Sequence, residues 1–212
     1  DVDGFADEMR AYDALGVEKG VLLPLVSPEF YTPMTTEDVL DAHERHPGRF
    51  IPFCNLSPQS IDHSVTADFR PALDWYKGKG CRGFGEVTAN LPFLHPMVQN
   101  LFRQVEEAGL PLTFHIAHRL DRVYGLYDDA GLPQLEDCLK AFPKLVFLGH
   151  SQTFWAEIAA LETPGDRAGY PTYPVRREGA VPKLMRRYPN LLGDLSAGSG
   201  CNALTRDPEY AV

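Results

Sequence analysis

The apolar residues of this 212-residue chain fall into short, nearly continuous runs that are separated by longer amphipathic segments. A continuous apolar run is typical of a strand buried on both faces, as in a parallel sheet. Apolar residues spaced by three and four positions indicate a helix with one buried face. The runs predict strands at residues 20–25, 50–56, 81–86, 110–118, 145–150 and 191–195. Helical spacing and end signals predict helices at residues 3–15, 35–45, 69–79, 96–108, 134–142, 154–161 and 182–188.

These strands and helices alternate with a period of about 30 residues, which predicts parallel βα units and an α/β fold. No linker interrupts the pattern, so residues 1–212 are expected to form a single domain. Polar side chains end three consecutive strands, which favours a TIM-like (β/α)8 barrel over an open doubly wound sheet. A complete barrel takes about 250 residues, so this chain is expected to hold six of the eight strands.

The candidate chemistry lies at the ends of those three strands. Glu86, His115 and His150 each close an apolar run, and parallel strands bring such ends to one rim. Each residue alone is more easily explained as structural, but the three together predict a functional site. Carboxylate and imidazole ligands suit Zn²⁺, with Mn²⁺ or Fe²⁺ as alternatives, and three protein ligands leave a position open. His150 is expected to bind the metal or to carry a proton.

Three further residues are candidates for binding a substrate. His118 and Arg119 come just after His115, in the loop expected over the rim, and arginine grips a carboxylate with two hydrogen bonds. A solvated loop explains them equally well. Asp194 ends the sixth strand, where it can support a ligand from behind or cap the turn at residues 196–198.

Composition and charge restrict the classes of partner that this protein is expected to bind. The formal net charge of −9 disfavours nucleic acid, which requires clustered Lys and Arg. No apolar run approaches the roughly 18 residues of a membrane span. The four scattered cysteines match no zinc or redox spacing and favour a reducing, cytoplasmic setting. A small molecule is the expected partner. The Pro- and Gly-rich stretch 163–181 is expected to touch the pocket mouth or a second copy in a homo-oligomer.

Four segments, taken in order, resemble the amidohydrolase superfamily and its "amidohydrolase-related" branch of metal-dependent hydrolases and decarboxylases. They are residues 83–86 (GFGE), 111–115 (PLTFH), 142–151 (FPKLVFLGHS) and 188–196 (YPNLLGDLS). The resemblance implies that the predicted strands are numbers two to seven of a distorted (β/α)8 barrel. It also implies that Glu86, His115 and His150 occupy the family's functional positions on strands four, five and six.

The resemblance implies hydrolysis of a C–N or C–O bond, which we favour, or non-oxidative decarboxylation of a small carboxylated substrate. The family's first-strand His-x-His and eighth-strand aspartate have no counterpart in this sequence. We therefore expect a longer protein to supply strands one and eight. The competing hypothesis is a non-catalytic barrel, acting in binding or as a scaffold, whose strand-end histidines are structural.

Overall fold

A computed structural model describes residues 4–29 and 32–211 of the chain. Its strands are β1 (Gly20–Leu22), β2 (Phe50–Cys54), β3 (Gly83–Val87), β4 (Leu112–Ala117), β5 (Leu126–Tyr127), β6 (Phe147–His150) and β7 (Leu191–Gly193). Its helices are α1 (Gly4–Leu15), α2 (Thr36–Arg45), α3 (Arg70–Gly78), α4 (Pro96–Ala108), α5 (Pro133–Ala141), α6 (Gln152–Ala156), α7 (Ala180–Arg187), α8 (Ala197–Thr205) and α9 (Pro208–Ala211). A 3-10 helix spans Pro164–Ala168.

The strands form one parallel sheet in the order β1-β2-β3-β4-β6-β7, and the short β5 pairs with β4. The predicted α/β fold, the six predicted strands and their parallel arrangement are confirmed. The sheet is curled. As a result, residues on the inner face of four of its strands line one cavity of about 420 Å³: Val21 of β1, Phe53 of β2, Thr113 of β4 and Leu148 of β6. In the described part of the chain β1 and β7 are free edges, so these strands form part of a barrel and not a closed one.

Aromatic side chains fill the space between the outer face of the sheet and its helices. Phe114 of β4 packs edge-to-face against Phe93, Phe147 and Phe154, with ring centroids 5.3, 6.2 and 6.0 Å apart. All four side chains are fully buried. Edge-to-face pairs contribute about 0.5–1.5 kcal/mol each beyond the burial of apolar area. This core explains why β4 and β6 read as continuous apolar runs, and it holds the strand ends that carry the site.

Several predicted boundaries are wrong, and backbone hydrogen bonding gives the reason. The helix predicted at 154–161 is α6, which ends at Ala156 because residues 158–160 turn to pair with the segment before α7. In that pairing the N–H of Gly179 donates to the carbonyl of Ile158, and that of Ala160 donates to Arg177. Strand β1 stops at Leu22, shortly before Pro24, which lacks the N–H that a strand needs. Asp3, the predicted start of the first helix, lies outside the described residues.

The stretch 163–181, predicted to be irregular, is packed against α6 and α8. Thr153 of α6 donates its hydroxyl to the carbonyl of Arg167 over 2.8 Å. Arg206 donates to the carbonyl of Tyr173 over 3.1 Å, and its guanidinium lies 4.7 Å from the Tyr173 ring centroid. Helix α8 itself was not predicted, because the sequence 197–205 has few large apolar residues to mark a buried face.

The buried carboxyl group of Asp128 predicts an unusual pH dependence of stability. Burial raises its pKa to about 6, although it accepts hydrogen bonds from the N–H groups of Gln134 and Leu135 at the start of α5. Between its ordinary value and about 6 the folded state binds the proton more tightly than the unfolded state, so stability falls as pH rises. We expect urea unfolding to show that wild type loses about 2 kcal/mol of stability relative to Asp128→Asn between pH 4 and 7.

Asp166→Asn is the control, because the stability that Asp166 contributes changes with pH in the opposite direction. Hydrogen bonds from Thr163 lower the pKa of Asp166 to about 2, so the stability that Asp166 contributes is present above its ordinary pKa and lost as pH falls. A difference between wild type and Asp128→Asn that does not change with pH would contradict the assignment.

Candidate metal site

Glu86, His115 and His150, the three residues predicted from the strand ends, lie together. Each offers one ligand atom, and these atoms all lie within 4.8 Å of one another. Strands β4 and β6 are in register, with His115 directly opposite His150. The side chains are 12, 6 and 12% exposed for Glu86, His115 and His150. The cluster therefore occupies the C-terminal rim of the sheet, shielded from bulk water.

A β-bulge turns Glu86 into the site. From Phe84 to Val87 is three residues along β3, while their partners on β4, Leu112 and Phe114, are two residues apart. Phe84 and Val87 both belong to the core between sheet and helices. In a regular strand Glu86 would share the core-facing side with Phe84, because side chains alternate with a period of two. The extra residue re-aims its carboxylate towards His115.

Two neighbouring residues hold the bulge in place. Gly85 has a φ of +115°, and a Cβ atom there would lie 2.3 Å from the carbonyl oxygen of Thr113, so only glycine lets the strands approach this closely. Asn55, buried at the end of β2, donates its side-chain amide to the carbonyls of Glu86 and Pro24 over 2.6 and 2.8 Å. Asn55 thus ties the ends of β1 and β3 to β2. Asn55 was not predicted from the sequence, although an asparagine that follows a buried strand is a polar residue at the rim.

His115 is surrounded by groups that fix its ring. Its Nδ1 atom hydrogen-bonds Glu86 Oε1 over 2.7 Å. The ring of Tyr124 packs on it, with centroids 4.4 Å apart. Gly125 has a φ of +113°, and a Cβ atom there would lie 2.8 Å from Cδ2 of His115. The loop after β4 therefore lies directly on the histidine.

His150 is paired with Asp194, which the sequence suggested as a substrate-binding residue. Nδ1 of His150 lies 3.0 Å from Oδ2 of Asp194. The contact has the length of a hydrogen bond but a bent angle. Burial alone would lower the pKa of His150, but Asp194 and the Glu86 carboxylate outweigh it and hold that pKa above its ordinary value. Burial would raise the pKa of Asp194, and His150 and Ser196 reverse this, so the Asp194 pKa is lowered.

A small pocket of about 160 Å³ opens beside His115. Its polar lining comes from His115, His118, Arg122, Tyr124 and Gln152. Burial, with Arg119 and Arg167 nearby, lowers the pKa of His118. Arg119 does not line this pocket: its side chain is exposed, and its carbonyl accepts a hydrogen bond from Asn90 over 3.2 Å. Arg122 and Tyr124 line it and were not singled out from the sequence, which predicted only a loop at 119–131.

Asn90 organises that loop. Its amide also donates to the carbonyl of Gly125, and its oxygen accepts from the N–H of Asp121 over 2.7 Å. Burial raises the pKa of Tyr124, and the neighbouring Glu86 and Tyr170 raise it further. Tyr170 belongs to the stretch 163–181, and the expected contact of that stretch with the pocket mouth or with a second copy stays a prediction.

No helix in residues 4–29 and 32–211 is both long enough and apolar enough to serve as a membrane span. The chain matches no protein-family model. No curated protein matches it either.

Solved structures give the fold. A TIM-barrel protein of uncharacterised function from Bordetella bronchiseptica superposes with a TM-score of 0.58 at 16% sequence identity, over 88% of this chain. The match covers 57% of that protein, so this chain corresponds to little more than half of it. At this identity the likeness shows the fold alone.

Two weaker similarities involve named enzymes. A probable 2-pyrone-4,6-dicarboxylic acid hydrolase from Acinetobacter baumannii, crystallised with citric acid, has a TM-score of 0.41 at 15% identity, covering 68% of this chain and 46% of the hydrolase. 5-Carboxyvanillate decarboxylase from Sphingomonas paucimobilis has a TM-score of 0.48 at 14% identity, covering 93% of this chain and 68% of the decarboxylase. Both TM-scores are below 0.5 and carry no weight for function. What the comparisons establish is that the curled parallel sheet is of the TIM-barrel kind.

Proposed function

We propose that this chain carries the reaction centre of a metal-dependent enzyme of the amidohydrolase type. The observation that carries the proposal is the cluster of Glu86, His115 and His150, whose ligand atoms lie within 4.8 Å of one another at the rim of a parallel sheet. Rims of this kind hold the active sites of TIM-barrel enzymes. The proposed reaction is hydrolysis of a C–N or C–O bond, with non-oxidative decarboxylation of a small carboxylated substrate as the second choice.

The residues present fit a divalent metal ion. Two imidazoles and one carboxylate form a ligand set that suits zinc, and also manganese or iron. Glu86 Oε1 and His115 Nδ1 are 2.7 Å apart, the distance of a hydrogen bond. Two ligand atoms on one tetrahedral zinc ion lie about 3.3 Å apart, so a small opening of this contact would let both bind. The three side chains are largely buried, which favours ligands over solvated charges. We propose zinc at this position, held by His115 and Glu86, with His150 beside it or as a third ligand.

A bound zinc ion would lower the pKa of a water molecule towards 7 and polarise a carbonyl group. The chain's own residues supply the proton transfers and the orientation. His150, with its pKa raised, can give a proton to a leaving nitrogen or oxygen in hydrolysis, or to the carbon that loses CO₂ in decarboxylation. His118 and Arg122 are proposed to hold the substrate carboxylate beside His115, because the pocket opens between these two side chains. Arg119 lies outside this pocket, so its role in substrate binding stays a prediction from the sequence.

We further propose that the sheet belongs to a complete (β/α)8 barrel. Val21 of β1 and Leu192 of β7 are apolar side chains that are 48 and 49% exposed, and both lie on the strands at the open edges of the sheet. Two additional parallel strands between β7 and β1 would close the barrel and bury both side chains.

Zinc binding tests the proposal. We expect metal-depleted wild-type protein to bind zinc in calorimetry. His115→Gln is expected to bind zinc more than about 100-fold more weakly. Loss of a residue that only supports a ligand lowers metal affinity about 10–100-fold, and loss of the ligand itself should have a larger effect. His150→Gln separates its two roles, because only a ligand changes the affinity strongly. His43→Gln is the control: His43 lies on α2 and bonds the carbonyl of Phe50. Wild-type protein without zinc affinity, or equal affinity in His115→Gln, would support the structural interpretation of the histidines.

A further inference from the structure

The two histidines of the cluster share a feature that the ligand set does not require. Each has its Nδ1 atom next to a carboxylate: Glu86 at 2.7 Å from His115, and Asp194 at 3.0 Å from His150. Nδ1 of His150 is buried, and its bent contact with Asp194 leaves it without a well-aligned hydrogen bond. A neutral imidazole has a donor nitrogen and an acceptor nitrogen, and the partner of one nitrogen decides the state of the other. The carboxylate of Asp194 is therefore the group that can select the tautomer of His150.

Asp194 is itself held rigidly. Its Oδ1 accepts the N–H of Ser196 over 2.9 Å, and its Oδ2 accepts the Ser196 hydroxyl over 3.0 Å. Its backbone N–H donates to the carbonyl of Gly149, the residue before His150. The indole N–H of Trp155 donates to its carbonyl over 2.9 Å. The backbone of Asp194 is thus anchored to β6 and to α6, and its side chain is held by Ser196.

The indole ring of Trp155 packs closely against β7, next to Asp194. A Cβ atom at Gly193 would lie 2.5 Å from the Trp155 ring, so glycine is needed for the indole to lie against the strand and reach Asp194. Asp194, Ser196 and Trp155 thereby form a support behind His150, and no side chain of this support belongs to the metal cluster.

We propose that Asp194 is a positioning residue that keeps the proton of neutral His150 on Nδ1, leaving Nε2 to act in the site. This inference rests on the proposed function for its significance: a ligand binds metal through a bare Nε2, and a proton carrier takes up and gives back its proton at Nε2 while Nδ1 keeps its own. A carboxylate accepts only, so it pairs with an Nδ1–H group and not with a bare Nδ1. An asparagine amide can present its NH₂ group to the ring instead, which favours the opposite tautomer.

The test is imidazole ¹⁵N NMR on the metal-free chain, above the pH at which the histidines are neutral. We expect His150 of wild type to show a protonated Nδ1 and a bare Nε2, and Asp194→Asn to reverse this preference. Ser196→Ala keeps the carboxylate and is expected to retain the wild-type tautomer. Asp207→Asn is the matched control, because Asp207 accepts the N–H of Val175 away from the cluster.

The outcomes separate this inference from the proposed function. A wild-type His150 protonated on Nε2 overturns the inference even if Asp194→Asn fails to fold, and so does an unchanged tautomer in folded Asp194→Asn. Zinc calorimetry addresses the metal alone. If the protein binds no zinc but His150 carries its proton on Nδ1, the proposed function fails while the positioning role stands.

Discussion

Replacing Arg167 with methionine is expected to lower the free energy of unfolding by about 3–5 kcal/mol, because it leaves a buried carboxylate without its partner. Nε of Arg167 lies 2.9 Å from Oε1 of Glu157, and the two side chains are only 8 and 4% exposed. Arg167 also donates to the carbonyl of Asp128 over 3.0 Å. The pair joins the stretch 163–181 to the end of α6 and to the loop before α5. Urea unfolding at pH 7 measures the loss.

The exposed pair Arg186–Glu178 provides the control for this experiment. Its side chains are 62 and 28% exposed, so Arg186→Met is expected to cost about 0–1 kcal/mol. The pH dependence gives a second check. Burial raises the pKa of Glu157, and the charge of Arg167 offsets part of that increase. Removing Arg167 is therefore expected to raise the pKa of Glu157 further. An acid with a raised folded pKa stabilises the fold more as pH falls, so the deficit of Arg167→Met should shrink at acidic pH. Equal losses in both variants would contradict the assigned role of the buried pair.

Gly85→Ala is expected to destabilise the fold by about 3 kcal/mol or more and to weaken zinc binding in the protein that remains folded. The new methyl carbon would meet the backbone of β4 at 2.3 Å, and a φ of +115° is strained for any residue with a side chain. Because backbone atoms cannot rotate away as a side chain can, β3 has to move, and Glu86 moves with it. Chemical denaturation and zinc calorimetry on the same preparation measure the two effects.

Gly80→Ala isolates the backbone contribution. Gly80 has a comparable φ of +107°, but a Cβ atom there meets nothing within 4 Å. We expect it to cost about 1–2 kcal/mol, the strain alone, with zinc binding unchanged. If the two alanine variants lose the same stability, the contact with Thr113 contributes nothing.

The two structural predictions concern different supports of the same rim. The Arg167–Glu157 pair fixes a long loop whose Tyr170 influences Tyr124 beside His115. Gly85 permits the bulge that delivers Glu86. Loss of the pair is therefore expected to act on stability with little effect on zinc affinity, whereas loss of the glycine acts on both.

By itself, the sequence determined the order of the strands, their parallel arrangement and the three rim residues. Burial on both faces leaves a continuous apolar run, and the histidine that interrupts it lies at the strand end, as at His150, or two residues before it, as at His115. Such local patterns need no knowledge of distant partners. The boundaries that failed, as in α6, depend on hydrogen bonds between residues far apart in the chain, such as Gly179 to Ile158.

Only the tertiary structure decided how the rim residues are oriented and supported. A regular strand would have turned Glu86 towards the helices, and the bulge that reverses it requires the close approach of β4 at Gly85. Asp194 was ambiguous as a sequence residue, and its place beside His150 depends on β7 lying next to β6. A side chain's partner is set by strands that are neighbours in space and distant in sequence. The three side chains that meet at the rim could thus be found in the sequence, while the contacts that position them and the other residues around them could not.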